Sequence, residues 1–185
     1  MPDPAERLPL EAPVHRFWWL HDARWYQGVM KRFGQDAANE INAEAMFFVS
    51  RRVARWYTQV YGLDFEAMSM DELVKWFREI PRIMWTEVMT KVEHSAVGES
   101  EFETVVTEHF ALSMLRAARS IDAYRCPCLE MRAGFFEGMG IEVRDSLIEC
   151  QLTGGDVCRF RAVVNRGDGD GLTTAGREGY GSSGT

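Results

Sequence analysis

Glu149-Cys150-Gln151-Leu152-Thr153-Gly154-Gly155-Asp156-Val157-Cys158-Arg159-Phe160 is the stretch on which the reading of this chain turns. The residues around it, Glu142 to Leu152 and Asp156 to Val164, predict two antiparallel strands joined at Thr153-Gly154-Gly155. A three-residue loop pairs Leu152 with Asp156 and sets Cys150 directly opposite Cys158. Opposed positions share a face of the hairpin, with β-carbons about 4.5–5.5 Å apart. A two-residue loop would instead oppose Cys158 to Gln151, so the register decides what the two thiols can do together.

The chain holds four cysteines, and the other two, Cys126 and Cys128, lie just upstream. Cys126 occupies an expected N-cap and Pro127 the first position of a short helix running to about Met139, a place that proline favours. Free amides and the helix dipole stabilise thiolates there. Two sulfurs from a helix start and two from a hairpin can complete the tetrahedral sulfur site that zinc prefers. Cys126, Cys128, Cys150 and Cys158 are therefore the expected metal ligands, with zinc as the expected cofactor. An iron–sulfur cluster also takes four cysteines. Unliganded core thiols, or a nucleophilic or redox cysteine, are the other readings of the same residues.

Upstream, the pattern is mainly helical. Trp19, Ala23, Tyr26, Met30 and Phe33 mark a first helix closed by Gly34. A second runs from about Gln35 to Tyr61, with Ala38, Ile41, Ala45, Val49, Val53, Trp56 and Val60 as its apolar face and Gly62 as its stop. Ser69 to Glu72 has capping-box spacing and opens a third, which Pro81 ends. Alternation from Arg82 to His94 predicts a strand covered on both faces. A second capping box at Ser100 to Glu103, followed by Phe102, Val106, Phe110, Met114, Ala117 and Ile121, predicts a long helix. The expected fold is α+β: a helical N-terminal half, a long helix, and a small antiparallel sheet ending in the cysteine-bearing hairpin. The expected organisation is a flexible leader over residues 1–12, one domain over 13–164, and a disordered Gly-rich tail over 165–185.

The C-terminal motif Cys150-x3-Gly154-x3-Cys158-x-Phe160 resembles the end of the 4-vinyl reductase domain family, a small-molecule-binding domain also found in bacterial aromatic-sensing activators. The resemblance implies a structural zinc, held in that family by an upstream cysteine, both hairpin cysteines and a glutamate three residues before the first of them. That position is Leu147 here, and the extra cysteine of the Cys126–Cys128 pair is the expected substitute. The resemblance also implies a His and a Trp that hold a ligand hydroxyl, for which Trp85, His94 and His109 are the candidates. Asp22, set among Trp18 and Trp25, is a further candidate ligand contact, with Trp25 beside it. In the front half, Asp22-x-x-Trp25-Tyr26 and Phe33-Gly34-x-x-Ala37 resemble an uncharacterised family of small bacterial proteins.

A net charge of −7, with no basic cluster among aromatics, argues against nucleic acid as a partner. No apolar run reaches the length of a membrane span, and Met1 to Arg7 lacks the features of a signal peptide, so a cytoplasmic location is expected. Catalytic signatures are missing: there is no Ser/His/Asp order, phosphate loop or Glu-x-x-His pair. Three functions fit. The first is a zinc-stabilised domain that binds a hydrophobic or aromatic small molecule as a stand-alone sensor or accessory protein. The second is a reductase- or hydrolase-like enzyme using a helix-start thiolate, Cys126 or Cys128. The third is a subunit or assembly factor that pairs with a second copy or another protein.

Overall fold

The computed structural model describes residues 4–86 and 89–166, with residues 4–13 as backbone only. Helices α1 (Pro4–Phe33), α2 (Gln35–Tyr61) and α3 (Met70–Glu79) come first, and a 3-10 turn at Ile80–Ile83 follows. Strands β1 (Thr90–Ala96) and β2 (Glu101–His109) lead into α4 (Phe110–Ala117), α5 (Cys128–Met139), β3 (Val143–Glu149) and β4 (Cys158–Val164). The strands form one antiparallel sheet in the order β1-β2-β4-β3, so the fold is α+β. No helix among the described residues is long and apolar enough to cross a membrane.

Several local signals act as read. Gly34 and Gly62 take positive φ of 92° and 61°, which an L side chain adopts only under strain, and they separate α1 from α2 and end α2. Ser69 and Glu72 form the reciprocal capping box at the start of α3. The backbone of α1 is already helical at Pro4, inside the expected leader. The expected tail lies outside the described residues beyond Arg166.

Two elements differ from expectation. The strand expected from Arg82 starts at Thr90, because Pro81 opens a 3-10 turn and its carbonyl accepts from the amides of Met84 and Trp85. The long helix expected from Ser100 is strand β2 followed by the eight-residue α4. Spacing by four residues fits a strand as well as a helix, since i and i+4 share a face in both. What decides is the run Thr104-Val105-Val106-Thr107, β-branched throughout, with Phe102, Thr104 and Val106 buried in alternation.

Helix α2 also turns a different face inward. Its buried residues are Ala38, Asn39, Ala43, Ser50 and Ala54, while Ile41, Trp56 and Val60 are exposed. Small side chains face α5 because the two backbones approach closely. A β-carbon added to Gly134 or Gly138 would lie 2.4 Å from a backbone oxygen of α2. The main core then fills the space between these helices, α3 and the sheet, around Phe65, Leu73, Phe77, Phe102, Phe135 and Phe136.

Candidate ligand cavity and metal centre

A cavity of about 640 Å³ opens between α3, the β1–β2 strands and α5, with Trp19 of α1 and Met46 of α2 on its rim. Its walls are mostly apolar, including Phe77, Trp85, Val106, Met131, Phe135 and Phe160. Trp19 is held there by an Nε1–H donated to the Met84 carbonyl (3.0 Å) and by edge contact with Trp85. Among the polar groups that line it, one set forms a chain of contacts.

That chain centres on Arg132, which is 3 % exposed. Its guanidinium donates to both carboxylate oxygens of Asp145, at 2.9 Å from Nη2, and from Nη1 to Thr104 Oγ1 at 2.9 Å. Phe160 and Phe77 place their ring centroids 4.7 and 5.2 Å from its charge, a cation–π enclosure that offsets part of its lost hydration. Thr104 Oγ1 also lies 3.0 Å from His94 Nδ1. Arginine only donates, so Thr104 Oγ1 accepts from Arg132, and its contact with His94 ties the ring to the same network. Burial, then the positive charges of Arg132 and Arg78, hold the His94 pKa down at about 3, so the ring stays neutral.

At the other end of the cavity His109, the last residue of β2, meets the start of α5. His109 Nε2 lies 3.9 Å from Cys126 Sγ and 3.7 Å from Cys128 Sγ. These three donor atoms all fall within 4.8 Å of one another, a group that can hold a metal ion. The helix begins one residue later than expected, with Pro127 as N-cap and Cys128 first in α5. The Cys126 thiol is pulled down to about 5, chiefly by a hydrogen bond from Cys128 and against the effect of burial. Cys128, which supplies that bond and is deeply buried, is pushed up. Soft thiolate and imidazole donors in this number suit zinc better than hard cations.

The hairpin comes to the same place. Glu149 and Arg159 are the last pair of the ladder, so the strands stop short of the expected Leu152 and Asp156, and the turn begins at Gln151, where the amides of Thr153 and Gly155 donate to the Cys150 carbonyl. A bulge between Leu147 and Glu149 precedes it, and regular pairing stops there. The amide of Leu152 donates to Cys150 Sγ (3.4 Å) and that of Gln151 to Cys158 Sγ (3.4 Å). Such bonds favour thiolates, although burial raises Cys158 to about 11. All four cysteines pack around Val106, Leu112 and Phe160 in a second small core. Leu147, at the family's glutamate position, stands opposite Phe160, and Glu149 accepts from the amides of Asp156 and Val157 to brace the loop.

Of the expected ligand contacts, Trp85, His94 and His109 line the cavity. Asp22 and Trp25 do not: Trp25 is 58 % exposed and Asp22 contacts the neighbouring His21 on the outer face of α1. Sequence reasoning missed Arg132, Thr104 and Trp19, and it assigned His109 to the ligand only. A charged residue in the apolar run Phe135-Phe136 and Cys128-Leu129 of α5 was the one available signal for Arg132.

No family model matches the chain, and no curated protein matches it. Solved structures share its fold at low identity. One is a trafficking protein particle complex subunit 3 from Naegleria fowleri, covalently bound to palmitic acid: 14 % identity, TM-score 0.55, covering 83 % of this chain and 96 % of that one. Another is the phenol-responsive sensory domain of the transcription activator PoxR with phenol: 14 % identity, TM-score 0.57, covering 79 % and 73 %. These likenesses concern the fold alone, and none of them shows the 4-vinyl reductase family.

Proposed function

We propose that this chain is a small-molecule-binding domain that takes an apolar or aromatic molecule into the cavity beside His94 and Trp85. The cavity itself carries the reading: its volume and largely apolar walls suit a compact organic ligand, with a few fixed polar groups to orient it. Neutral His94, which lines the cavity, is placed to meet a ligand hydroxyl. The solved neighbour that holds phenol lends the same fold to such a role. A metal ion, zinc by the chemistry of the donors, would clasp the start of α5 to the β3–β4 hairpin at the cysteine cluster. Its part is structural, holding one end of the cavity closed.

Titration of the protein with phenol, substituted phenols and medium-chain alcohols, followed by melting temperature and tryptophan fluorescence, tests the reading. Saturable stabilisation is expected for at least one class. It should disappear in Val106→Trp, which fills the cavity, and weaken in His94→Ala. If no probe stabilises the wild type and Val106→Trp melts unchanged, the cavity is not a binding site. For the clasp, purified protein should contain zinc, lost in Cys126→Ser and Cys128→Ser. Metal-free protein with a rapidly alkylated Cys126 would favour the thiolate-enzyme reading instead.

One observation favours assembly with a partner as a second role. Phe17, Trp18 and Trp25 of α1 and Phe48, Trp56 and Val60 of α2 are all at least 47 % exposed, more large apolar surface than a solitary domain usually shows. Sedimentation of the purified chain checks whether it self-associates.

A further inference from the structure

A tetrahedral ion has four places, and His109, Cys126 and Cys128 already form a group that can hold one, with Cys150 and Cys158 packed in the same small core as candidates for the fourth. Their geometry is not equivalent. With zinc–sulfur bonds of about 2.3 Å and zinc–nitrogen bonds of about 2.0 Å, a tetrahedron has nitrogen–sulfur edges of about 3.5 Å. His109 Nε2 already stands 3.9 and 3.7 Å from the sulfurs of Cys126 and Cys128, within a few tenths of those edges. The other ring nitrogen, Nδ1, is buried with no hydrogen-bond partner among the described residues, so no second contact turns the ring away from the sulfurs.

The hairpin sulfurs divide. Cys158 is 1 % exposed and fixed in β4, packed in the small core with Cys128. Cys150 is half-buried, lies beyond the last ladder pair, and lines a second, more open pocket that Arg116, Tyr124 and Cys126 share.

We infer that His109 is a ligand of the ion, that the site is His109–Cys126–Cys128–Cys158, and that Cys150 is left as a free thiol open to reagents. This rests on the clasp reading above and assigns its ligands. It also changes where the ion sits. His109, Cys126 and Cys128 all line the cavity, so the ion becomes part of the cavity wall and a bound molecule touches one of its ligands.

Cobalt-substituted protein, with iodoacetamide alkylation read by mass spectrometry, tests the assignment. In the metal-loaded wild type, Cys150 alone should be alkylated. In His109→Ala, Cys150 should become protected as it takes the vacant position. The sulfur-to-cobalt charge-transfer band should then rise by about one third, from three thiolates to four, and metal affinity should fall roughly tenfold or more. Should His109→Ala fail to fold, His109→Cys is expected to fold, to bind cobalt through four thiolates and to leave Cys150 reactive. Protection of Cys150 in the wild type, with a spectrum unchanged in His109→Ala, means an all-sulfur site. That result overturns the inference and leaves the clasp standing. A wild type that takes up no cobalt overturns both.

Discussion

At the scale of single residues, Arg132 and His94 set the character of the cavity's polar end. The Arg132–Asp145 pair is nearly dry, with side chains 4 % and 10 % exposed. Removing one partner strands the other charge, a loss of about 3–5 kcal/mol. Arg132→Met should therefore unfold at far lower urea concentration than the wild type, and adding Asp145→Leu should recover most of the loss. His94 gives a second prediction, in pH. Its folded pKa of about 3 lies below the ordinary 6.5, so the unfolded chain binds the extra proton first. The stability is complete above pH 6.5 and drains as pH falls toward 3. Between pH 7 and 5 the loss from this residue is about 2 kcal/mol, at about 1.4 kcal/mol per pH unit. Urea unfolding at several pH values should show this limb in the wild type and lack it in His94→Gln; equal limbs would mean that His94 is solvated. The nearness of Cys126 to Cys128 is legible in sequence because Pro127 alone separates them, whereas His109 as their third neighbour comes from a distant strand. Asp22 was misplaced because the sequence does not say which stripe of a long helix meets the domain, and Arg132 was missed because its partners are brought to it by three separate elements.

At the scale of elements, what could be read was whatever is written locally. The capping box of α3 and the glycine stops of α1 and α2 are set by residues within a few positions of each other. The nature of β2 was hidden because its apolar residues at Phe102, Val106 and Phe110 fit both periods. The α2–α5 contact was hidden for a different reason. Hydrophobicity points to Ile41, Trp56 and Val60, but close approach selects small residues, and Gly134 and Gly138 on α5 meet Ser50 and Ala54 on α2. An alanine β-carbon at position 138 would sit 2.4 Å from the Arg51 carbonyl oxygen and 2.7 Å from Ala54 Cβ. Neither atom is the tip of a flexible chain, so the helices must part. Gly138→Ala gains helix propensity yet should destabilise by about 1–3 kcal/mol, visible as a lowered melting temperature with unchanged helical circular dichroism before the transition. A melting temperature at or above the wild type's would show that the helices are not in backbone contact.

At the scale of the molecule, two cores share one cavity. The larger, around Phe77, Phe102, Phe135 and Phe136, joins α2, α3, α5 and the sheet. The smaller joins the start of α5 to the hairpin through Val106, Leu112, Phe160 and the cysteines. The proposed metal clasp would add to its cohesion. The cavity runs from Phe77 and Phe135 in the first core to Cys128 and Phe160 in the second, so its shape depends on both. Withdrawal of the ion should accordingly act locally. Hydrogen exchange followed by mass spectrometry, with and without chelator, is expected to show lost protection across 150–158 and the first turn of α5. The amides of Gln151 and Leu152, which donate to the sulfurs, should be among the first affected. Protection in the C-terminal half of α2, in α3 and at the Ala96–Phe102 end of the β1–β2 ladder should stay, because these residues pack in the larger core. Loss of protection throughout the chain would make the ion a condition of the whole fold, while no change at 150–158 would mean that the hairpin is held by packing alone. The expected local loosening opens the cavity at its cysteine end, so ligand affinity should fall with chelation even though the larger core persists.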